Sequence, residues 1–400
     1  MSALYRLENR IQNYAWGSHS GLSAIRGAKT PSEKPEAELW MGAHPLAPSR
    51  VVDASGSRSL LEVIDADPKG VLGARVASSF GRLPFLMKLL AAREPLSLQA
   101  HPSEAQAKEG FAREEAAGIP LDSPTRCYKD PSHKPELLAA LTPFSALVGF
   151  RTPTDTGRLF ASLGVRPLAP AVTALTQRAP EEALRGLFGL VTGGSPVLRR
   201  ELADATFAAC RQLAEKPSEF SKELAWGARI GELYPGDPGI VLALALNLVV
   251  LEPGQAVYLP AGNLHAYLSG TGVELMASSD NVLRGGLTPK HVDVTELLRV
   301  LDFGSGPIAL VPTEQRGGEL HYVTPAAEFA LSQCSLGPLR VLLDTPKGPE
   351  IIVVTEGSVS VHRGTQTLTL PAGASVFVPA AGDAYELSGA GTVFRARVNL

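Results

Sequence analysis

The stretch Leu251–Leu268, LEPGQAVYLPAGNLHAYL, decides how the fold is read. An apolar run stops at Pro253-Gly254, restarts as AVYL, stops again at Pro260-Ala261-Gly262 and resumes at His265. Proline ends a strand because it lacks an N–H donor, and glycine supplies the positive φ that a tight turn needs. The same rhythm returns in Val353–Leu387, VVTEGSVSVHRGTQTLTLPAGASVFVPAAGDAYEL. Short strands punctuated in this way predict jelly-roll barrels. The two copies differ at one place: the first has His265 after its PAGN bend, and the second has Ala384-Tyr385 there. Chemistry is therefore expected in the first barrel and a structural role in the second.

Upstream, residues to about Arg151 alternate short apolar runs with Gly/Pro turns, apart from a helix expected over Ser103–Gly118 with Ser103 as its cap. From Thr152 to about Arg229 the pattern changes. TPTDTGRLFASLG, PEEALRGLFGLV, SPVLRRELADATFAACRQLAEK and PSEFSKELAWGARIGELY place apolar residues three to four apart, and each begins near Thr, Ser or Pro. The run IVLALALNLVVL (Ile240–Leu251) is too short to span a bilayer and reads as a buried strand or a helix-to-strand segment. The expected architecture is mainly β with a helical insert. A discontinuous cupin-type domain takes 1–151 plus 235–310, an all-α domain 152–234, and a C-terminal cupin-like β domain 311–400, making a bicupin.

The 400 residues exceed one ordinary core, and 44% hydrophobic with 19% charged residues describes a folded chain. A formal charge of −3 gives no basic field for nucleic acid and no polybasic membrane patch, so the expected partner is a small molecule and the chain a monomer. The N-terminus, MSALYRLENRIQNYAWG, lacks the pattern of a signal peptide. Cys127, Cys210 and Cys334 are few, odd in number and scattered, which points to a reducing cytoplasm rather than a disulfide framework.

Ser97–Pro102, SLQAHP, alternates Leu98 and Ala100 with Ser97, Gln99 and His101. In a strand, residues two apart share a face, so a hydroxyl, a carboxamide and an imidazole point one way. Glu136, in YKDPSHKPELLAAL, and His265 join them as candidates. Two imidazoles and a carboxylate suit a catalytic zinc with an open position, and Gln99 adds a neutral oxygen. Each has a plainer reading: Gln99 and His101 as a hydrogen-bonded pair, Glu136 at a helix N-terminus, His265 satisfying a turn. No CxxC or HExxH spacing decides between them.

Longer motifs add a resemblance. NYAWGS (Asn13–Ser18), PEAELWMGAHPLAPS (Pro35–Ser49), LPFLMKLLAAREPLSLQAHPS (Leu83–Ser103), YKDPSHKPELLAAL (Tyr128–Leu141) and the stretch from Leu251 to Phe303 resemble the type I phosphomannose isomerases, zinc enzymes of cupin fold. The helical insert and C-terminal barrel match that family in layout rather than in motif. The resemblance implies zinc held by Gln99, His101, Glu136 and His265, an active-site arginine at Arg284, and interconversion of D-mannose 6-phosphate and D-fructose 6-phosphate through a cis-enediol. Lys134, His44 and Glu274 are rival proton carriers. Ser97, Lys88 and Lys290 are candidates for the phosphate, and Trp16 and Tyr267 for the cavity wall. Without the resemblance, Lys88 is a snorkelling lysine, Lys290 an exposed turn, Trp16 core, and Glu274 a salt-bridge partner. His19, His321 and His362 are read as surface or structural. Two alternatives remain: a non-catalytic bicupin that binds a sugar phosphate, and an iron cupin, which Gln99 in place of a histidine disfavours.

Overall fold

The computed structural model describes residues 4–53, 56–337 and 340–400. Strand pairings in two large sheets are antiparallel throughout the described residues. One sheet has ten strands and is built on the long strand His265–Ala277. That strand pairs with Leu98–Ala100 and Phe144–Phe150 through its first half, and with Glu136–Ala140 and Phe85–Ala92 through its second. It changes neighbours at a bulge between Tyr267 and Ser269, followed by Gly270 at φ +130°. A Cβ at Gly270 would lie 2.8 Å from the Phe144 Cα, so only glycine lets the strand turn the corner here.

The other sheet has eleven strands, mostly from the C-terminal part, with Glu350–Arg363 and Tyr385–Arg397 at its centre. Strands Tyr5–Glu8, Arg50–Asp53 and Gly56–Ser59, expected from their place in 1–151 to join the metal-bearing strands, complete this sheet instead. Leu7 and Val51 are buried in a core shared with Phe377 and Phe394, and Tyr5 stacks on Phe377 with ring centroids 6.5 Å apart. That core also takes Leu39, Met87, Leu89 and Leu275, so one apolar cluster spans both sheets.

Between the strands Phe144–Phe150 and Leu246–Leu251 the chain is helical, from Pro153–Leu163 to Gly239–Leu244. Ile240–Leu251 is thus a helix-to-strand segment. Thr152 and Ser195 cap their helices with side-chain oxygens, and proline follows each cap. The helices pack Phe160, Leu184, Phe188 and Leu202 against Leu98, Ala100, Ala266, Leu268 and Leu283. Because strand residues alternate, the helices cover one face of these strands, and Gln99, His265, Tyr267 and Arg284 are left on the other. A separate groove of about 1110 Å³ lies between the sheets, lined in part by Ser18, Thr142, Ser269 and Glu356; Gln99, His101, Glu136 and His265 do not line it. No helix among the described residues is long and apolar enough to cross a membrane.

Candidate metal centre

His265 opens its strand directly opposite Gln99, and Gln99 is directly opposite Arg284 on its other side. Residues so paired project from the same face with Cβ atoms about 5 Å apart. His101, two residues beyond Gln99, is fixed by the bend that precedes His265: the Gly262 N–H donates to the His101 carbonyl at 2.8 Å. Gly262 has φ +78°, and a Cβ there would press within 3.0 Å of the Val300 carbonyl. Glu136 comes from a strand whose Leu138 and Ala140 face an inner cluster with Leu90, Val148 and Tyr267. The ladder thus points into the interior of this β unit.

His101, Glu136 and His265 each offer a ligand atom within 4.8 Å of the others, and all three are buried. The His101 Nδ1–H donates to the Asn281 carbonyl at 2.7 Å, and the His265 Nδ1–H to the Asn263 carbonyl at 3.0 Å. A carbonyl only accepts, so in each neutral ring Nε2 carries the lone pair. Burial, with Lys134 nearby, pulls the His101 pKa down to about 4, which keeps that ring neutral. Both Nε2 atoms face Glu136, at 3.4 Å from Oε1 and 3.4 Å from Oε2 respectively. Neither Nε2 nor the Glu136 Oε2 has a hydrogen-bond partner. Three buried acceptors turned toward one another repel unless a cation lies between them. Donors about 2.1 Å from a common zinc, at tetrahedral angles, lie about 3.4 Å apart. The residues present therefore fit zinc, and the two carbonyl contacts are of the kind that would orient a histidine bound to a metal. Burial pushes the Glu136 carboxyl up, but the Lys134 ammonium beside it holds it well below its usual range.

Lys134 Nζ lies 3.1 Å from Glu136 Oε1 and is buried. Lys88 is enclosed: its Nζ is 2.8 Å from Glu274 Oε2 and 3.5 Å from Glu38 Oε1, and 5.4 Å from the centre of the Trp40 ring. Trp40, Lys88, Glu274 and Leu138 form one cross-strand row, which sets this contact. Burial lowers the Lys88 pKa, yet Glu274 and Glu38 outweigh it and raise it. Burial raises that of Glu274, against the pull of Lys88. His44 is buried against Trp40, and its Nε2 lies 3.1 Å from Asp280 Oδ1. Tyr267 is buried on Phe144 with its hydroxyl unpartnered, while Trp16 packs partly buried on the same cluster.

Arg284 is half-buried and makes no hydrogen bond or ion pair with a described residue; burial lowers its pKa. Lys290 is exposed, and burial of its stem together with Arg284 lowers its pKa too. Two cations without an acid between them suit an anion. Ser97 stands one step ahead of the strand Leu98–Ala100, on the Gln99 side by alternation. Sequence reasoning missed Asn263, Asn281, Asp280 and Glu38. The first three stand inside the motifs around His265 and Arg284, where only the histidine and arginine were singled out.

Residues 4–153 match a family described as "Phosphomannose isomerase type I, catalytic domain". The mannose-6-phosphate isomerase of Escherichia coli is 40% identical over 399 residues, covering 98% of this chain and 99% of that protein. The mannose-6-phosphate isomerase of Aspergillus fumigatus is 32% identical over 437 residues, covering 94% of this chain and 92% of that one. A zinc-bound crystal structure of mannose 6-phosphate isomerase is similar with a TM-score of 0.91 at 37% identity, over 100% of both chains. A variant of phosphomannose isomerase from Salmonella typhimurium gives 0.93 at 37% identity, again over 100% of both.

Proposed function

The chain belongs to the type I phosphomannose isomerase family, and from that premise we infer that it interconverts D-mannose 6-phosphate and D-fructose 6-phosphate with zinc as its cofactor. One observation carries this for the chain's own residues: two imidazole Nε2 atoms and a carboxylate oxygen converge in a buried site without hydrogen-bond partners. His101, Glu136 and His265 would hold the ion, with Gln99 supplying a fourth donor from the same strand face. Zinc, when bound, polarises the substrate oxygens and stabilises the negative charge that develops beside the carbonyl.

The residues around it divide the remaining work. The isomerisation moves a proton between C2 and C1 through a cis-enediol, and Lys134, beside Glu136, is the nearest candidate to carry it. Glu274, whose pKa burial raises, is the second, and the His44–Asp280 pair can pass a proton toward solvent. Arg284 places a fixed positive charge beside Gln99, on the side away from His265, to stabilise the enediolate. Lys290 and Ser97 favour the phosphate. The charge of Lys88 is already balanced by two carboxylates, which favours its holding Glu38 and Glu274 in place over binding phosphate itself. Trp16 and Tyr267 wall the cavity.

At the scale of domains, we read the two sheets as the two barrels of a bicupin, with the chain divided at 1–151 plus 235–310, 152–234 and 311–400, and the strands Tyr5–Glu8, Arg50–Asp53 and Gly56–Ser59 lent to the C-terminal barrel. A reducing cytoplasm accords with three buried free cysteines. A coupled assay of fructose 6-phosphate formation from mannose 6-phosphate tests the activity. Turnover that a chelator abolishes supports it; tight sugar-phosphate binding without turnover would replace it with the non-catalytic bicupin.

A further inference from the structure

We infer that the Asn281 side chain is a positioning residue that couples two ligands of the metal centre, His101 and Glu136, which arrive from separate parts of the chain. This rests on the zinc-isomerase reading and adds to it a residue without direct contact to metal or sugar.

Asn281 is fully buried and uses every hydrogen-bonding group it has. Its backbone carbonyl accepts from His101 Nδ1 at 2.7 Å, which fixes the ring's tautomer and direction. Its side chain turns to a different segment. Oδ1 accepts from the Lys129 N–H at 2.7 Å and the Asp130 N–H at 3.2 Å. Nδ2 donates to the Asp130 carbonyl at 2.7 Å and the Ser132 carbonyl at 2.8 Å. The segment so clamped, 129–135, delivers Lys134 and Glu136. Two more of its tethers come from the same place: Ser279 Oγ donates to Asp130 Oδ2 at 3.1 Å, and the Asp280 N–H donates to that oxygen at 2.9 Å. Arg82 and Glu328 hold it only at Ser132 Oγ and His133 Nε2.

A buried carboxamide that staples a loop is common, and by itself would count as structural. Here one residue holds a ligand's imidazole with its main chain and the path to a second ligand with its side chain. A change in the carboxamide therefore shifts Glu136 relative to His101, and the donor spacing near 3.4 Å depends on that relation. Asp in place of Asn keeps the size and the oxygen that accepts from Lys129 and Asp130, but removes both N–H donors and sets a carboxylate oxygen against two carbonyls.

The test compares the full-length parent with Asn281→Asp. Three quantities are read: the zinc dissociation constant from chelator competition, the visible spectrum of the cobalt(II)-substituted protein, and the melting temperature. Asn281→Asp is expected to fold, to bind zinc about tenfold to a hundredfold more weakly, and to shift the cobalt bands. Arg363→Met is the control. Arg363 is a buried arginine in the other sheet that donates to the Asp383 and Pro379 carbonyls. Its loss should lower the melting temperature and leave zinc affinity and spectrum at parental values. A folded Asn281→Asp protein with zinc affinity within twofold of the parent and the parental cobalt spectrum overturns the proposal. Should Asn281→Asp fail to fold, Asp130→Asn loosens the same segment from the other side; weaker zinc binding supports the coupling, and parental affinity and spectrum refute it. A parent that binds zinc without turning over mannose 6-phosphate would sink the isomerase reading instead, and the affinity ratio would still decide this one.

Discussion

His265 has no exposed surface, and its Nε2 faces the Glu136 carboxylate without a hydrogen-bond partner. Replacing it with alanine removes a donor that no neighbour can supply, so His265→Ala should lose zinc and turnover together. A purified variant that keeps both would show that the ligand set is wrong. Arg284→Ala should behave differently, since the guanidinium makes no hydrogen bond or ion pair with a described residue. Zinc content should stay at the parental level while kcat/KM falls by about two to three orders of magnitude, as when a preorganised charge is removed from a developing anion. Loss of zinc would move Arg284 to a structural role. At this scale the alternation of Gln99-Ala100-His101 put a carboxamide and an imidazole on one face, but Glu136 and His265 were singled out as their partners by the longer motifs, not by spacing. The enclosure of Lys88 was not legible. In FLMKLLAA it reads as a strand-end lysine, and only the register across three strands brings Glu274 and Glu38 to its ammonium.

Helix Glu104–Ala116 begins at the capping box of Ser103 and Gln106 and carries Gly110 on its buried side. A Cβ at Gly110 would lie 2.3 Å from the Tyr128 ring, which is itself held by Glu296 through a 2.6 Å hydrogen bond. Alanine improves helix propensity by about 1 kcal/mol. The clash with a pinned ring costs about 1–3 kcal/mol. Gly110→Ala should therefore lower the melting temperature rather than raise it, as calorimetry would show; a rise would mean that Tyr128 moves freely. Local elements such as this helix, its Ser103 cap and the capped helices from Pro153 onward were readable because caps, prolines and apolar spacing are short-range signals. The pairing of Tyr5–Glu8 with Ser375–Val378 was not, because strand partners far apart in sequence are chosen by the core they share, here Leu7 with Phe377, and leave no local pattern.

Across the whole molecule, the bend between the strands Glu319–Tyr322 and Ala330–Leu336 of the C-terminal sheet touches the segment that delivers Glu136: His133 Nε2 lies 2.6 Å from Glu328 Oε1. The hydrogen bond to Glu328 raises the His133 pKa, against burial. Burial raises that of Glu328, but His133 outweighs it and lowers it. A raised histidine stabilises most below its unfolded pKa of about 6.5, and that contribution is lost as pH rises through the folded value. A lowered carboxylate stabilises above its unfolded pKa of about 4.3, and that contribution is lost as pH falls through the folded value. The pair therefore helps most from about pH 4.3 to 6.5. The melting temperature of Glu328→Gln should fall short of the parent by more at pH 6 than at pH 9; an equal gap at both would remove the ion pair from the stability of the joint. The central claim concerns the three buried donors that face one another. Its most direct measurement strips the purified protein of metal and returns zinc in steps, following zinc content and fructose 6-phosphate formation together. Activity should vanish in the stripped protein and return in full near one zinc per chain. Undiminished isomerisation by the metal-free protein would contradict it.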